Sequence, residues 1–169
     1  VTLCTSCGNT LKSEYPRLFP GEERLSKIAD LVAANTYDFG ELLVELLAEN
    51  KLKLPANRIN RKLAYHAPCH LKAQGIGKPW LSILKSVPGL EVLDLEAGCC
   101  GMSGTYGFRT EKYAISMGIG ANVFTAIKEY QPDQVISECA GCRMQIEHGT
   151  QAETLHPVEV LDQILECRG

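Results

Sequence analysis

The chain has 169 residues, of which 45% are hydrophobic and 22% charged, with a formal net charge of −3. Those proportions describe a globular protein with one full core and room for a smaller attached piece. They give no basic field for nucleic acid, and no run of about 18 apolar residues could span a membrane, although docking onto a membrane partner stays open.

The chain opens at Val1 rather than a methionine and carries no secretory signal pattern, which suggests a fragment of something longer. In chain order the first feature is Cys4-x-x-Cys7, followed by a helix-compatible stretch. Residues Glu22 to Ala34 place Leu25, Ile28, Ala29 and Val32 at helical spacing. Asp38 reads as the N-cap of a second helix carrying Leu42, Leu43, Leu46 and Leu47. LKLPANRINR is then a polar connection with a proline.

Beyond it the period changes. KLAYH (Lys62 to His66) predicts a strand, followed by a cysteine-containing turn at Cys69 and a helix around Trp80 to Val87. A PGL turn leads into a second strand, EVLDL (Glu91 to Leu95), and then the glycine-rich loop EAGCCGMSGTYGF. Ile115, Ile119, Val123, Ala126, Ile127 and Tyr130 recur at steps of three and four and predict a long amphipathic helix. QVISE (Gln134 to Glu138) is a third strand ending at Cys139. PVEVLDQILE (Pro157 to Glu166) is a closing helix with proline at its first turn.

Strands alternating with helices predict an α/β fold: a small parallel, Rossmann-like sheet flanked by helices, with an N-terminal helical piece attached. Each cysteine group follows a predicted strand: Cys69 the first, Cys99 and Cys100 the second, Cys139 and Cys142 the third. In open parallel sheets the loops beyond the carboxyl ends share one edge, where ligands bind.

The chain has eight cysteines, which in a small secreted protein would suggest a disulfide framework. Two Cys-x-x-Cys groups in a cytosolic-looking α/β setting favour metal instead. CTSCGNTLKSEYPRL and CAGCRMQIEHG echo each other, and each precedes a similar helix, DFGELLVELL and HPVEVLDQIL. This suggests residues 1–55 as the tail of one repeat and 56–169 as a complete second one. Cys4 and Cys7 would then be half of a site whose other ligands lie upstream. Pairing with Cys167, or an ordinary redox dithiol, are the alternatives.

In the complete repeat the candidate ligands are Cys69, Cys99, Cys100, Cys139 and Cys142. Structural zinc takes four ligands, usually from two Cys-x-x-Cys-type pairs, and a vicinal Cys-Cys pair fits one small ion poorly. An iron–sulfur cluster is larger, so adjacent thiolates can reach different irons and a fifth cysteine is usable. Gly98, Gly101, Gly104 and Gly107 would let the backbone fold closely round a cluster and direct amide N–H groups at sulfur. No Gly-Lys-Ser/Thr follows, so a phosphate loop is disfavoured.

His66 and His70 flank Cys69, and either could hydrogen-bond a cluster sulfur or replace a ligand; the alternative is that they are plain polar residues at a strand end. His148 and His156 suit local hydrogen bonds near helix ends. Tyr106 and Arg109 border the cysteine loop, where surface packing is the simpler role, and Cys167 reads as a bystander thiol.

HAPCH, GCCGMSGTYGF and CAGCRMQIEHG together resemble the cysteine-rich CCG domain: a lone Cys, a Cys-Cys-Gly and a Cys-x-x-Cys. The resemblance covers roughly residues 62 to 166, with a preceding repeat's tail at 1 to 50. The family includes iron–sulfur subunits of glycolate, lactate and anaerobic glycerol-3-phosphate oxidation systems, and one of the subunits of heterodisulfide reductase. The CCGMSGTYGF run and the LHPVEVL tail are most similar to the glycerol-3-phosphate branch. The resemblance implies tandem repeats and a [4Fe–4S] cluster, cubane or noncubane, on Cys69, Cys99, Cys100, Cys139 and Cys142. It also implies flavin dehydrogenase subunits and a quinone or membrane redox partner, with the protein peripheral on the cytoplasmic face of the cell membrane. Relative to the branch with noncubane clusters, the gap from Cys69 to Cys99 is shorter and that from Cys100 to Cys139 slightly longer, which leaves the cluster type open. The expected function is non-catalytic electron relay. Disulfide reduction at a noncubane cluster and a structural zinc module are the competing readings, and an isolated fragment could have an empty site.

Overall fold

The computed structural model describes residues 1–54 and 59–166. Cys167 and part of the LKLPANRINR connection lie outside the described residues. The chain divides into two compact units, one from Val1–Lys53 with Cys69–Trp80, the other from Leu54–Pro68 with Leu81–Gly169.

The first unit starts with α1 (Thr5–Asn9), a π-helical turn at Thr10–Glu14 and a 3-10 turn at Tyr15–Arg17 that carries Pro16. Then come α2 (Glu23–Ala34) and α3 (Phe39–Ala48). Asp38 caps α3 as its sequence position predicts. Its Oδ1 accepts from the Gly40 amide at 2.9 Å while Glu41 Oε2 accepts from the Asp38 amide at 3.2 Å, a capping box that satisfies two otherwise orphaned donors. Burial pushes the Asp38 carboxyl up, against the pull of the Gly40 and Glu41 amides. α2 buries Ala29 but leaves Leu25, Ile28 and Leu31 exposed.

Cys69, expected in a turn, instead begins a short helix, α4 (Cys69–Gln74). Leu71, Lys72, Ala73 and Gln74 are good helix formers, and Gly75 at φ +69° ends the run. Gln74 Nε2 donates to Thr5 O at 3.0 Å, tying α4 to α1. At Gly40 an added Cβ would lie 2.7 Å from the indole of the buried Trp80 at the start of α5 (Pro79–Lys85).

The second unit is a parallel sheet with strand order β2-β1-β3-β4. β1 is Arg61–Tyr65, β2 Leu90–Asp94, β3 Gln134–Ile136 and β4 Thr154–Leu155. Leu63 pairs with Val92 on one side and Gln134 on the other. β4 has two residues and pairs only at Val135–Thr154 and Ile136–Leu155, too short to leave an alternating pattern in the sequence. Ala64 and Val135 face α6 (Tyr113–Tyr130) and α7 (Ala140–Thr150), forming a core with Val123, Phe124, Ile127 and Ile146. The strand alternation sends Arg61, Leu63 and Tyr65 to the other face. There Arg61 Nη1 donates to Gln163 Oε1 of α8 (Pro157–Glu166) at 2.5 Å. The fold is α/β, a parallel sheet between helices.

One expectation about α6 is reversed. The helical period puts Ile115 and Ile119 on its apolar stripe, yet they are 51% and 48% exposed, while Ser116 and Gly120 are buried. The reason lies in what this part of the helix packs against: backbone of the double-cysteine loop rather than side chains.

Candidate metal centre

Residues 96–108 fold over the amino-terminal half of α6. Gly101 sits at φ +91°, and a Cβ there would come 2.0 Å from the Ser116 carbonyl oxygen. Only glycine allows both that dihedral and that approach. Gly120 completes the cradle, since its Cβ would lie 2.5 Å from Cys100 O. Ser116 Oγ donates to Gly101 O at 2.8 Å and accepts from Gln145 Nε2 of α7 at 2.9 Å. The loop is therefore fixed by hydrogen bonds from two helices, and Cys100 is held in place by its neighbours' backbone.

Cys100 and Cys142 are buried with Met102, and Cys139 packs against them half-buried. The Sγ atoms of Cys100 and Cys142 share a hydrogen bond at 3.3 Å. Donor atoms of His66, Cys100 and Cys142 all lie within 4.8 Å of one another. Cys99 is half-buried, and its Sγ accepts from the Gly101 amide at 3.3 Å, one N–H directed at sulfur as the glycine-rich loop suggested. Among the described residues no cysteine is in a disulfide.

The thiols are split in acidity. The hydrogen bond from Cys142 holds Cys100 down to about 4, against the cost of burial, with help from the His66 imidazole and the Met102 amide. Cys142, which keeps the shared proton, is pushed up by Cys100 and Cys139. Cys139 is lowered to about 6 by its hydrogen bond with Cys142 and by the Gly141 and Cys142 amides at the start of α7. The donor set is that of a thiolate-binding metal: closely spaced sulfurs, two of them predisposed to ionise, in a mostly buried setting with amides on sulfur. An iron–sulfur cluster fits these residues.

β1 and β3 fix the flanks. The His66 amide donates to Ile136 O at 2.9 Å, and Tyr65 Oη donates to Glu138 Oε1 at 2.6 Å between two buried side chains. Cys69 follows two residues beyond Ala67, exposed at the head of α4 and within the first unit, where His70 Nδ1 is 2.8 Å from Ser6 Oγ. His156 Nδ1 accepts from the Val158 amide at 3.1 Å, the local role expected near a helix end, whereas His148 bonds Tyr113 Oη at 2.7 Å and so links α7 to α6 rather than bonding locally. Tyr106 is half-buried with Lys112 Nζ 5.9 Å from its ring centre, and Arg109 is exposed. Sequence reasoning missed Ser116, Gly120 and Gln145. Their only trace is a pair of small residues spaced four apart on α6, which looks like surface when side-chain hydrophobicity is the guide.

The Cys-x-x-Cys segments of the two units share a local geometry. Cys4 is the N-cap of α1 at φ −104°, ψ 118°, and Cys139 is the N-cap of α7 at φ −105°, ψ 117°. Two residues earlier, the Thr2 amide donates to Tyr37 O at 2.8 Å, as the Ser137 amide donates to Leu155 O at 3.1 Å. In each unit the residue after that acceptor then caps a helix. His156 accepts from Val158 while Glu159 Oε2 accepts from the His156 amide at 2.6 Å, matching Asp38, Gly40 and Glu41. In the first unit the hydrogen bond with Cys4 raises the exposed Cys7 thiol.

The cysteine-rich CCG domain model matches residues 63–147, which span β1 to α7 and every cysteine of the second unit's cluster. The chain belongs to the CCG cysteine-rich domain family. It is 34% identical over 165 residues to one of the subunits of anaerobic glycerol-3-phosphate dehydrogenase from Escherichia coli strain K12, covering 98% of this chain and 40% of that protein. It is 37% identical over 147 residues to an iron–sulfur protein of Methanocaldococcus jannaschii, covering 86% of this chain and 26% of the relative. To lactate utilization protein A of Geobacillus sp. strain WCH70 it is 31% identical over 170 residues, covering 96% of this chain and 69% of the relative. The chain thus spans well under half the length of the first two, the dehydrogenase component and the iron–sulfur protein.

Proposed function

We propose that this chain is the electron-relaying part of an iron–sulfur subunit, holding a [4Fe–4S] cluster on Cys69, Cys99, Cys100, Cys139 and Cys142. The supporting observation is the buried Cys100–Cys142 pair at 3.3 Å, with Cys139 packed against it and Cys99 adjoining. When bound, such a cluster takes up and gives back one electron at a potential set by its surroundings. The chain's own residues bind and tune. Cys100 and Cys139 supply thiolates at neutral pH, the Gly101 amide donates to Cys99 Sγ, and Ser116 and Gln145 keep the loop from moving. Such a relay needs no acid–base pair. Two features disfavour zinc: the vicinal pair Cys99–Cys100, and a loop whose amides are turned toward sulfur.

The matched N-cap angles and capping boxes support reading residues 1–55 as the tail of a first CCG repeat and 56–169 as a complete second one. Cys4 and Cys7 are then two ligands of a first-repeat site. The partner is a flavin dehydrogenase, with glycerol 3-phosphate the substrate best supported by the relative from Escherichia coli, and electrons pass on toward quinone. The protein would act at the cytoplasmic face of the membrane, docked to its partners. No helix among the described residues is long and apolar enough to cross a bilayer.

The test is a serine panel on anaerobically reconstituted chain. Cys69→Ser, Cys99→Ser, Cys100→Ser, Cys139→Ser and Cys142→Ser should each lower iron and sulfide together, whereas Cys4→Ser and Cys7→Ser should spare the second-repeat cluster. Retention of full iron and sulfide in Cys100→Ser or Cys142→Ser would refute the assignment. In the complex isolated with its dehydrogenase subunits, glycerol 3-phosphate should reduce the centre. Reduction by lactate but not by glycerol 3-phosphate would reassign the substrate.

A further inference from the structure

The set of cysteines leaves one converging group unused. His66 follows β1 and is only 2% exposed, and its Nε2 is buried with no hydrogen-bond partner among the described residues. A buried polar atom left in that state is destabilising, so a protein that keeps one at a site gains something there. The backbone that carries the ring is held in place. The His66 amide bonds Ile136 O at 2.9 Å, extending the β1–β3 ladder by one residue and fixing the backbone at the carboxyl edge of the sheet.

The imidazole lies against the sulfurs, close enough to help lower the Cys100 thiol. His66, Cys100 and Cys142 each offer a donor atom within 4.8 Å of the other two, and they are the only such group of His, Cys, Asp or Glu among the described residues. A metal bound at about 2.3 Å to sulfur and about 2.0–2.1 Å to nitrogen spaces its donors by about 3.5–3.8 Å. The 3.3 Å between the Cys100 and Cys142 sulfurs brackets that spacing from below, and the 4.8 Å limit of the group brackets it from above.

We propose that His66 Nε2 is a direct ligand of the metal centre, bound beside Cys100 and Cys142, so that the site is of mixed sulfur and nitrogen character. The assignment rests on the reading of this site as a metal centre. A neutral imidazole at that position brings no negative charge to the shell where a thiolate would, and iron–sulfur centres with histidine ligands have higher potentials than all-cysteine ones. The centre here would therefore accept electrons more readily than a thiolate-only version, as replacing His66 with cysteine should reveal.

Two loadings of the full chain separate this proposal from the cluster reading. In the first, reduced metal-free chain is titrated with cobalt(II) and its X-ray absorption counts sulfur and nitrogen neighbours. In the second, chain labelled with 15N-histidine is reconstituted with iron and sulfide, and pulsed EPR measures nitrogen coupling in the reduced state. The expected result is a nitrogen neighbour and a strong histidine coupling in the native chain. Both should be lost in H66A, with cobalt binding weakened by more than about 10-fold, the lower end of what losing even an outer-shell partner costs. H66C should keep tight metal binding with sulfur in place of nitrogen and lower the potential, which also guards against H66A failing by unfolding. An all-sulfur cobalt shell, a nitrogen shell that survives in H66A, or only the weak coupling of an N–H···S hydrogen bond would overturn the proposal. Nitrogen ligation of cobalt with no sulfide-containing cluster would uphold His66 and refute the cluster. A sulfide-containing cluster without histidine coupling would do the reverse.

Discussion

Gly98 and Gly101 have nearly the same backbone dihedral, φ +93° and φ +91°, but different surroundings: an added Cβ meets nothing within 4 Å at Gly98 and lies 2.0 Å from Ser116 O at Gly101. Alanine at either position costs about 1–2 kcal/mol for placing a side chain at positive φ. At Gly101 the clash is with helix backbone, which cannot rotate away, and overpacking adds about 1–3 kcal/mol. Gly98→Ala should therefore lose about 1–2 kcal/mol and Gly101→Ala about 2–5 kcal/mol, out of the roughly 5–15 kcal/mol typical of a folded domain. Urea unfolding of the reduced, metal-free chain reads the difference. Because the displaced loop carries Cys99 and Cys100, Gly101→Ala should also lower iron and sulfide uptake while Gly98→Ala leaves it near native. Equal stability losses, within about 0.5 kcal/mol, would refute the claim that close approach to α6 positions the double cysteine.

Three further outcomes are expected. Ser116→Ala removes the donor to Gly101 O and the acceptor of Gln145 Nε2, and should destabilise by about 1–3 kcal/mol; a loss below about 0.5 kcal/mol by urea unfolding would argue that water replaces the hydroxyl. Cys139 is lowered to about 6, so its alkylation by iodoacetamide in reduced, metal-free chain should rise with pH about a midpoint near 6, against about 8.5 for an ordinary thiol. A depressed thiol stabilises the fold above its unfolded value and loses that contribution as pH falls through about 6, so an alkylation midpoint above about 8 would contradict the geometry. Gly40→Ala places a Cβ 2.7 Å from the Trp80 indole and should shift the fluorescence of the chain's single tryptophan and cost about 1–3 kcal/mol, whereas unchanged emission and stability would refute the contact.

The parts of the fold legible in the sequence are those written in side-chain pattern. The β-branched and aliphatic runs at 62–66, 91–95 and 134–138 mark three strands to within a residue or two of their observed ends, and Asp38 and Pro157 mark two helix starts. The illegible parts depend on backbone. β4 is two residues at an edge, with no period to detect. α4 rests on helix propensity alone over six residues, below the length at which propensity decides anything. The inward face of α6 escapes the hydrophobic period because Ser116 and Gly120 admit a carbonyl, while Ile115 and Ile119 satisfy the same period pointing outward. At the site, Cys-x-x-Cys and Cys-Cys-Gly are visible as spacing. The burial of His66 and the unequal acidities of Cys100, Cys139 and Cys142 come from contacts between β1, the loop and α7, which no local segment records.

The most direct measurement is the metal and sulfide content of the 169-residue chain after anaerobic reconstitution, with EPR in both redox states. A [4Fe–4S] centre on these cysteines predicts about four irons with matching acid-labile sulfide and a paramagnetic signal in one redox state. Stoichiometric zinc with no sulfide and no signal would contradict it.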